Sequence, residues 1–115
     1  MNFREEIQNM LRLTEKMTPI ESNRIIFAIS TIGLLIGKEN LLEISHNTVI
    51  DLEEFSRKAY SYIDDKQGKE VLSIALSFLP HKIETFMFVN VIEIITKFDL
   101  KHIVLDLSLI HISEP

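Results

Sequence analysis

The sequence TPIESNRIIFAISTIGLLIG (residues 18–37) decides the fold class. Thr18 suits the N-cap of a helix, Pro19 suits its first turn, and Glu21 completes a capping box. Residues 25–36 are apolar almost all round, which is typical of a helix at the centre of a domain or of one covered by a partner. Their β-branched side chains also suit a strand, but the cap and the length favour a helix. We therefore expect a central helix from Pro19 to about Gly37, where glycine marks the C-terminal stop.

Upstream of this stretch, apolar residues recur at three- and four-residue spacing and predict an amphipathic helix over about Asn2–Lys16. Its apolar face comprises Phe3, Ile7, Met10, Leu11 and Thr14. Its polar face comprises Arg4, Glu5, Gln8, Arg12 and Glu15. Within the central helix, Gly33 predicts a close approach to a neighbouring element.

Downstream, residues 38–47 are predicted to be a connection that contains a short apolar turn, Leu41-Leu42. Thr48 opens a second capping box with Asp51, and a third helix comes next. The apolar face of this third helix comprises Val49, Leu52, Phe55, Ser56, Ala59, Tyr60 and Ile63. Residues 64–68 predict the next break.

Two further helices are predicted on either side of Pro80, which lacks a backbone donor and ends a helix near Leu79. The fourth helix covers about Lys69–Leu79, and its apolar face comprises Val71, Leu72, Ala75, Leu76 and Leu79. The fifth covers about His81–Phe98, and its apolar seam comprises Ile83, Phe86, Met87, Asn90, Val91, Ile94 and Ile95. Asp99 then caps a sixth helix, Leu100–Asp106.

The composition agrees with an all-α domain. Hydrophobic residues make up 46% and charged residues 25% of the 115 residues, which is ordinary for a globular chain. The chain has three glycines and three prolines and so few places for turns, which favours a small number of long helices over many short strands. No side-chain pattern recurs at the period of about 40 residues that marks helical solenoids. We therefore predict an irregular bundle or array of about five to six helices.

Charge and hydropathy exclude several function classes. The net charge is −5 and the lysines are dispersed, so there is no direct signal for binding nucleic acid or an anionic membrane. The N-terminus lacks the apolar core of a secretory signal. The longest uncharged run, residues 25–37, is thirteen residues and falls short of the about 20 that cross a bilayer. The absence of cysteine excludes disulfides and fits a cytoplasmic location, which is our expectation.

The last nine residues, LSLIHISEP (residues 107–115), resemble the in-frame translation of a transposase mosaic-end sequencing adapter. All nine codons of CTG TCT CTT ATA CAC ATC TCC GAG CCC match. The resemblance implies that residues 107–115 are an adapter-derived tail rather than native sequence. Residues 1–106 are then a truncated N-terminal fragment that forms one helical domain.

Two acid–histidine pairs have the three-residue spacing that places two ligands on one helical face: Glu43 with His46, and Asp99 with His102. Di-iron bundles combine such pairs with further interior carboxylates. Glu93 is the one candidate for an interior carboxylate, and the first pair falls in the predicted connection. We therefore expect solvated surface rather than a metal site, and His111 belongs to the tail.

The remaining polar and aromatic residues also favour structural roles. We expect His81 at an exposed helix start, and Asn23, Ser30 and Asn90 bonded to neighbouring backbone groups. The aromatic residues are expected in core packing or as ordinary surface aromatics rather than in a platform for bases, because acids surround Arg57 and Lys58, the nearest basic residues. The aromatic residues concerned are Phe55, Tyr60, Tyr62, Phe78, Phe86, Phe88 and Phe98. No nucleophile elbow or phosphate-binding glycine loop is present, so we predict no catalytic, cofactor-binding or metal residue.

Our leading functional hypothesis is a non-catalytic docking domain of a longer cytosolic protein, whose partner is a protein or the missing C-terminal domain. The apolar central helix and residues 86–89 motivate it, since they carry more apolar faces than a small bundle readily hides. The alternative rests on a resemblance to the leader of adenine-specific DNA methyltransferases of restriction–modification systems. The resemblance lies in an N-terminal helical region in which Met17-Thr18-Pro19 opens a long apolar helix. That resemblance implies transfer of a methyl group from S-adenosylmethionine, through motifs that lie beyond residue 106. A second alternative is a small stand-alone regulatory or immunity-type protein.

Overall fold

The computed structural model describes residue 5 and residues 18–46, 51–80 and 85–109. In these ranges the chain forms six helices and no strand, so the all-α prediction is confirmed. The helices are α1 (Pro19–Ile36), α2 (Lys38–His46), α3 (Leu52–Tyr60), α4 (Lys66–Ser77), α5 (Thr85–Thr96) and α6 (Leu100–Leu109). The predicted helix over Asn2–Lys16 lies outside the described residues, apart from Glu5.

The central helix α1 begins and ends where the sequence predicts. The backbone N–H of Glu21 donates a hydrogen bond of 3.1 Å to Oγ1 of Thr18, which is the N-cap. At the other end Gly37 has φ 94°, a conformation that glycine adopts without a steric penalty. Its N–H donates to the carbonyl of Gly33 at 2.8 Å and closes the last turn.

The core is built around α1, which packs against α2, α4, α5 and α6. Ile25, Ile29 and Ile32 on its inner side are at most 2% exposed. The predicted close approach at Gly33 is confirmed: a Cβ atom there would lie 2.6 Å from Cδ1 of Leu100 and 3.0 Å from Cδ2 of Leu41. Glycine at this position therefore lets α6 and α2 converge on α1.

Residues 38–46 form the helix α2, and the prediction of a connection there was wrong. The helix starts one residue after Gly37, and the side-chain amide of Asn40 donates to the carbonyl of Ile36 at 2.7 Å. Leu41, Ile44 and Ser45 are buried, at the spacing of one helical face. The apolar pair Leu41-Leu42 is thus part of a helix that packs on α1 and α5 rather than a turn.

Aspartate caps set the starts of α3 and α4, and both starts differ from the prediction. Asp51 caps α3 by accepting from the N–H of Glu54 at 2.7 Å, so the helix begins at Leu52 rather than with Val49. Thr48, the predicted cap, lies outside the described residues. Asp65 caps α4 by accepting from the N–H of Gly68 at 2.7 Å, so α4 begins three residues before the predicted Lys69. A side-chain cap therefore outweighs the helix-breaking tendency of a glycine in the first turn.

The buried side of α5 is rotated from the predicted seam. Val91 and Ile95 are buried as expected, but Phe88 and Ile92 are buried with them. Asn90 and Ile94 are half-buried. The Phe88 ring meets the Phe55 ring of α3 edge-on, with centroids 5.0 Å apart, which places Phe88 on the buried side. Among the predicted seam residues, the side chains of Ile83, Phe86 and Met87 lie outside the described part.

The last helix, α6, packs against α1 through Leu100, Ile103 and Leu107, which are at most 2% exposed. The carboxylate of Asp99 accepts from the N–H of Lys101 at 3.1 Å, as expected of a residue that caps the helix. The helix runs past Asp106 to Leu109. Assignment of residues 107–115 to an adapter stays a prediction.

Candidate interaction surface

The two acid–histidine pairs are not part of a larger group of metal-binding side chains within the described residues. Nowhere in the described ranges do three or more His, Asp or Glu side chains lie close enough to bind a metal ion. Glu43 is exposed on α2, and His46 is the last residue of that helix. The pair therefore has helical spacing, contrary to its predicted place in a connection, but no third ligand within the described residues.

The second pair, at the start of α6, has a structural explanation. The carboxylate of Asp99 caps the helix, and His102 is exposed one turn later. Glu93 is exposed on α5, so it was wrong to consider it an interior carboxylate. This arrangement supplies helix capping and solvent-facing charge. His81 lies outside the described residues.

An open depression of about 560 Å³ lies at the start of α3, lined by Asp51, Leu52, Glu53 and Ser56. Two of its polar side chains, those of Asp51 and Ser56, are engaged locally. The Asp51 carboxylate caps the helix, and the Ser56 hydroxyl donates to the carbonyl of Leu52 at 2.7 Å. The depression is open to solvent rather than enclosed, whereas small-molecule sites bury most of their ligand.

Two neighbouring hydroxyl groups on α1 are enclosed by the protein and make no hydrogen bond within the described residues. They are Ser30 Oγ and Thr31 Oγ1. The expectation that Ser30 is bonded to a neighbouring backbone group was therefore wrong. By contrast, the buried Ser45 hydroxyl of α2 donates to the carbonyl of Leu41 at 2.7 Å. The expected bonds of Asn23 and Asn90, both half-buried, stay predictions.

Two aromatic pairs hold helices together within the described residues. Phe55 and Phe88 are buried, which confirms core packing for these two. The rings of Phe27 on α1 and Phe78, the C-cap of α4, meet edge-on with centroids 5.8 Å apart. Tyr62 is 39% exposed and lies outside these contacts. These two ring contacts thus bridge α3 to α5, and α1 to the C-terminal end of α4.

The most exposed large hydrophobic side chain in the described ranges is Ile74 of α4, at 59%. Val71, one turn earlier on the same side, is 37% exposed. Between and beyond them lie the small residues Ser73 and Ser77, both exposed. We call these four residues the α4 face. Its apolar side chains continue toward Phe78, which is half-buried one turn after Ile74.

A second apolar strip runs along the outward side of α1. Ile20 and Leu34 are 42% and 46% exposed, and Phe27 lies midway between them at seven-residue spacing. Thr31, one turn from both Phe27 and Leu34, is half-buried. We call Ile20, Phe27, Thr31 and Leu34 the α1 outer stripe. The ring contact between Phe27 and Phe78 brings this stripe next to the α4 face.

Sequence reasoning missed the α4 face. It placed Val71 on the buried side of the helix and did not single out Ile74. A signal for this face is present in the sequence, because Val71 directly precedes the buried Leu72 and Ile74 directly precedes the buried Ala75. Two apolar pairs at the same spacing, shifted by one residue, indicate two apolar faces on one helix.

None of the described helices is by itself long and apolar enough to cross a bilayer. The pair formed by Ile20–Ile36 and Lys38–Ser45 passes that test when taken together, but the two parts meet at a bend of 117°. Comparisons with protein-family models, curated proteins and solved structures find no match to this chain. The α4 face and the α1 outer stripe are therefore the features from which a function is inferred.

Proposed function

We propose that residues 1–106 form a non-catalytic docking domain of a longer cytosolic protein, and that the α4 face binds a partner protein or a following domain. The observation that carries this proposal is the 59% exposure of Ile74 in the middle of α4. An isolated exposed leucine or isoleucine is ordinary on a protein surface. Here, however, Val71 and Phe78 lie one turn away on either side and make the exposed apolar area continuous.

The double-sided apolar character of α4 supports this function. Leu72 and Ala75 are buried in the bundle, whereas Val71 and Ile74 point about 100° away from them around the helix axis. A helix that packs on one side of a small domain needs one apolar face. The second face exposes apolar surface to water unless another molecule covers it.

The polar groups around Ile74 are compatible with close approach by a partner. The Ser77 hydroxyl donates to the carbonyl of Ile74 at 2.6 Å, so it needs no partner from across an interface. Ser73 is small and exposed. Lys69 and Glu70 lie toward the N-terminal end of the helix and are exposed. An apolar centre with a charged rim is the usual composition of a protein–protein interface.

Burial of side chains in the fold also reduces the apolar surface that is available for binding. The apolar residues of α1 are largely enclosed because this helix is at the centre of the bundle, and Phe88 of α5 is buried. Their apolarity therefore reflects the core rather than an interface. Within the described ranges, exposed large hydrophobic side chains remain on α4, along the outer side of α1, at Tyr62 after α3 and at Leu105 of α6.

Site-specific photo-crosslinking in the full-length protein tests the proposal. A photoreactive residue at position 74 is expected to capture one defined protein or the protein's own following domain. The matched control is position 39, an exposed residue of α2 rather than of α4, where capture should be weak. Ile74→Asp should abolish binding of the captured partner while leaving the helical circular-dichroism signal unchanged. Equal capture at both positions would contradict the proposal, and so would a monodisperse 1–106 fragment that binds no dye specific for apolar surface.

An independent read of the coding sequence across residue 106 tests whether the chain continues beyond the domain. Continuation into a region without methyltransferase motifs agrees with a docking domain of a longer protein. A glycine-rich cofactor loop followed by Asn-Pro-Pro-Tyr within the next few hundred codons would replace this proposal with S-adenosylmethionine-dependent methylation of adenine. A stop codon a few residues after Asp106 would contradict the longer protein and support a stand-alone regulator.

A further inference from the structure

The exposed side chain of Lys38 joins two bends of the chain that are far apart in sequence. Its Nζ donates a hydrogen bond of 2.9 Å to the backbone carbonyl of Phe98, 60 residues further along the chain. Lys38 is the first residue of α2, directly after Gly37, and Phe98 lies in the turn between α5 and α6. The serine hydroxyls and capping side chains described above bond within four residues of themselves. The Lys38 bond differs from them because it connects separate helices.

The position of Lys38 in α2 indicates that its charge acts outside that helix. A cation in the first turn of a helix lies near the positive end of the helix dipole, where it is unfavourable. The carbonyl of Phe98 lies just after the C-terminal end of α5, where a cation is favourable. The side chain therefore gains electrostatic energy by reaching from the start of α2 to the end of α5.

The turn that receives this bond is short. α5 ends at Thr96 and α6 begins at Leu100. The N–H groups of Lys97 and Phe98 donate back to the carbonyls of Ile94 and Ile95, at 3.2 and 3.1 Å. These bonds tie the turn to the end of α5. The bond from Lys38 adds a tie from outside, between the turn and the start of α2.

This tie lies close to the place where three helices converge. A Cβ atom at Gly33 of α1 would lie within 3.0 Å of side-chain atoms of both Leu41 and Leu100, which belong to α2 and α6. Lys38 lies one turn before Leu41, and Phe98 lies two residues before Leu100. The bond between Lys38 and Phe98 is thus placed to hold the starts of α2 and α6 together beside α1.

We propose that Lys38 is a conformational strap: its ammonium group holds the α5–α6 turn against the start of α2, and loss of its charge loosens the first turn of α6 while the domain stays folded. The domain stays folded because Leu100, Ile103 and Leu107 remain packed on α1, each at most 2% exposed. A change at the start of α2 is thereby transmitted to α6. The inference does not depend on partner binding by the α4 face.

Amide hydrogen exchange in the full chain tests the strap. Lys38→Met removes the charge and keeps a long apolar stem. It should speed exchange at the N–H of Phe98 and at the N–H of Ile103, which donates to the carbonyl of Asp99 at 3.0 Å and reports on the first turn of α6. The expected increase is about two- to ten-fold, the factor that one net hydrogen bond contributes. Lys38→Arg keeps a cation and should restore most of the protection, and the amides of α4 should keep their rates in both variants.

The matched control is Lys101→Met, which removes another exposed lysine from the first turn of a helix, beside the same turn. It leaves the bond between Lys38 and Phe98 in place, so exchange at Phe98 and Ile103 should not increase. Unchanged exchange at these two amides in Lys38→Met would overturn the proposal. An equal increase in Lys101→Met would also overturn it, and so would an increase in Lys38→Met that extends through α4, because the loss would then be one of overall stability.

Discussion

α1 and α4 are neighbours in one bundle, yet the bundle encloses most of α1 and leaves α4 open along one side. α1 packs against four other helices, whereas α4 packs mainly against α1 and α3. Ile29 of α1 is completely buried, and Ile74 of α4 is 59% exposed. The same residue type thus serves the core in one helix and a surface in the other. Apolar composition alone does not distinguish a structural helix from a binding helix; the neighbours of each face do.

The largest expected effect comes from truncating one isoleucine in each helix. Ile29→Ala should lower the free energy of unfolding by about 2–5 kcal/mol, because it leaves a cavity among packed helices. Ile74→Ala should change it by less than about 0.5 kcal/mol, because the side chain is in solvent. Urea unfolding followed by circular dichroism measures both. Equal losses would mean that Ile74 contributes to the core and would remove the basis for the α4 face.

The sequence of residues 18–37 is sufficient to predict α1, the enclosed helix of the two. A side-chain cap at Thr18, an uninterrupted apolar run and a glycine at position 37 all indicate the same helix, and α1 has these bounds within one residue. The close approach at Gly33 was also predicted correctly. Local signals suffice here because the helix is central, and four neighbouring helices bury most of its apolar residues.

The α4 face was not predicted, and the reason is physical. Residues 71–76 present apolar side chains on more than one side of the helix, so periodicity does not indicate which side faces α1. The rotation is set by tertiary contacts such as the one between the Phe27 and Phe78 rings, whose centroids are 5.8 Å apart. α2 was missed for a related reason: Gly37 ends α1, but Leu41 and Ile44 gain burial if the chain starts another helix at once.

The next largest effect is expected where α1 touches its neighbours most closely. Gly33→Ala should destabilise the protein by about 1–2 kcal/mol, since the new Cβ would lie 2.6 Å from Leu100 and strain outweighs the better helix propensity. NMR shift changes should extend to Leu41 and Leu100 on two other helices. In α4, Gly68→Ala meets Ile63 and the carboxylate of Asp65, both at 2.8 Å. Its shift changes should stay within residues 63–68, and spread beyond them would contradict the open position of α4.

The caps are expected to have smaller and equal effects in the two helices. Thr18→Ala removes an N-cap hydrogen bond of 3.1 Å from α1, and Asp65→Ala removes one of 2.7 Å from α4. Each substitution should cost about 1 kcal/mol, the usual contribution of an N-cap side chain. Thermal and urea unfolding measure the two losses side by side. A much larger loss of stability for one cap would show that α1 and α4 differ at their ends rather than on their faces.

The smallest effect is expected to be a gain in stability. Ser30 of α1 is fully buried, and its hydroxyl makes no hydrogen bond within the described residues, so the folded state bears a desolvation cost that water relieves in the unfolded chain. Ser30→Ala should therefore raise the free energy of unfolding by up to about 1 kcal/mol. Ser77→Ala in α4 is the matched control, because that hydroxyl is exposed and bonded to its own helix at 2.6 Å, and the change should be close to zero. A loss of stability in Ser30→Ala would mean that the hydroxyl has a hydrogen-bond partner. The buried side of α1 would then be held partly by a polar contact.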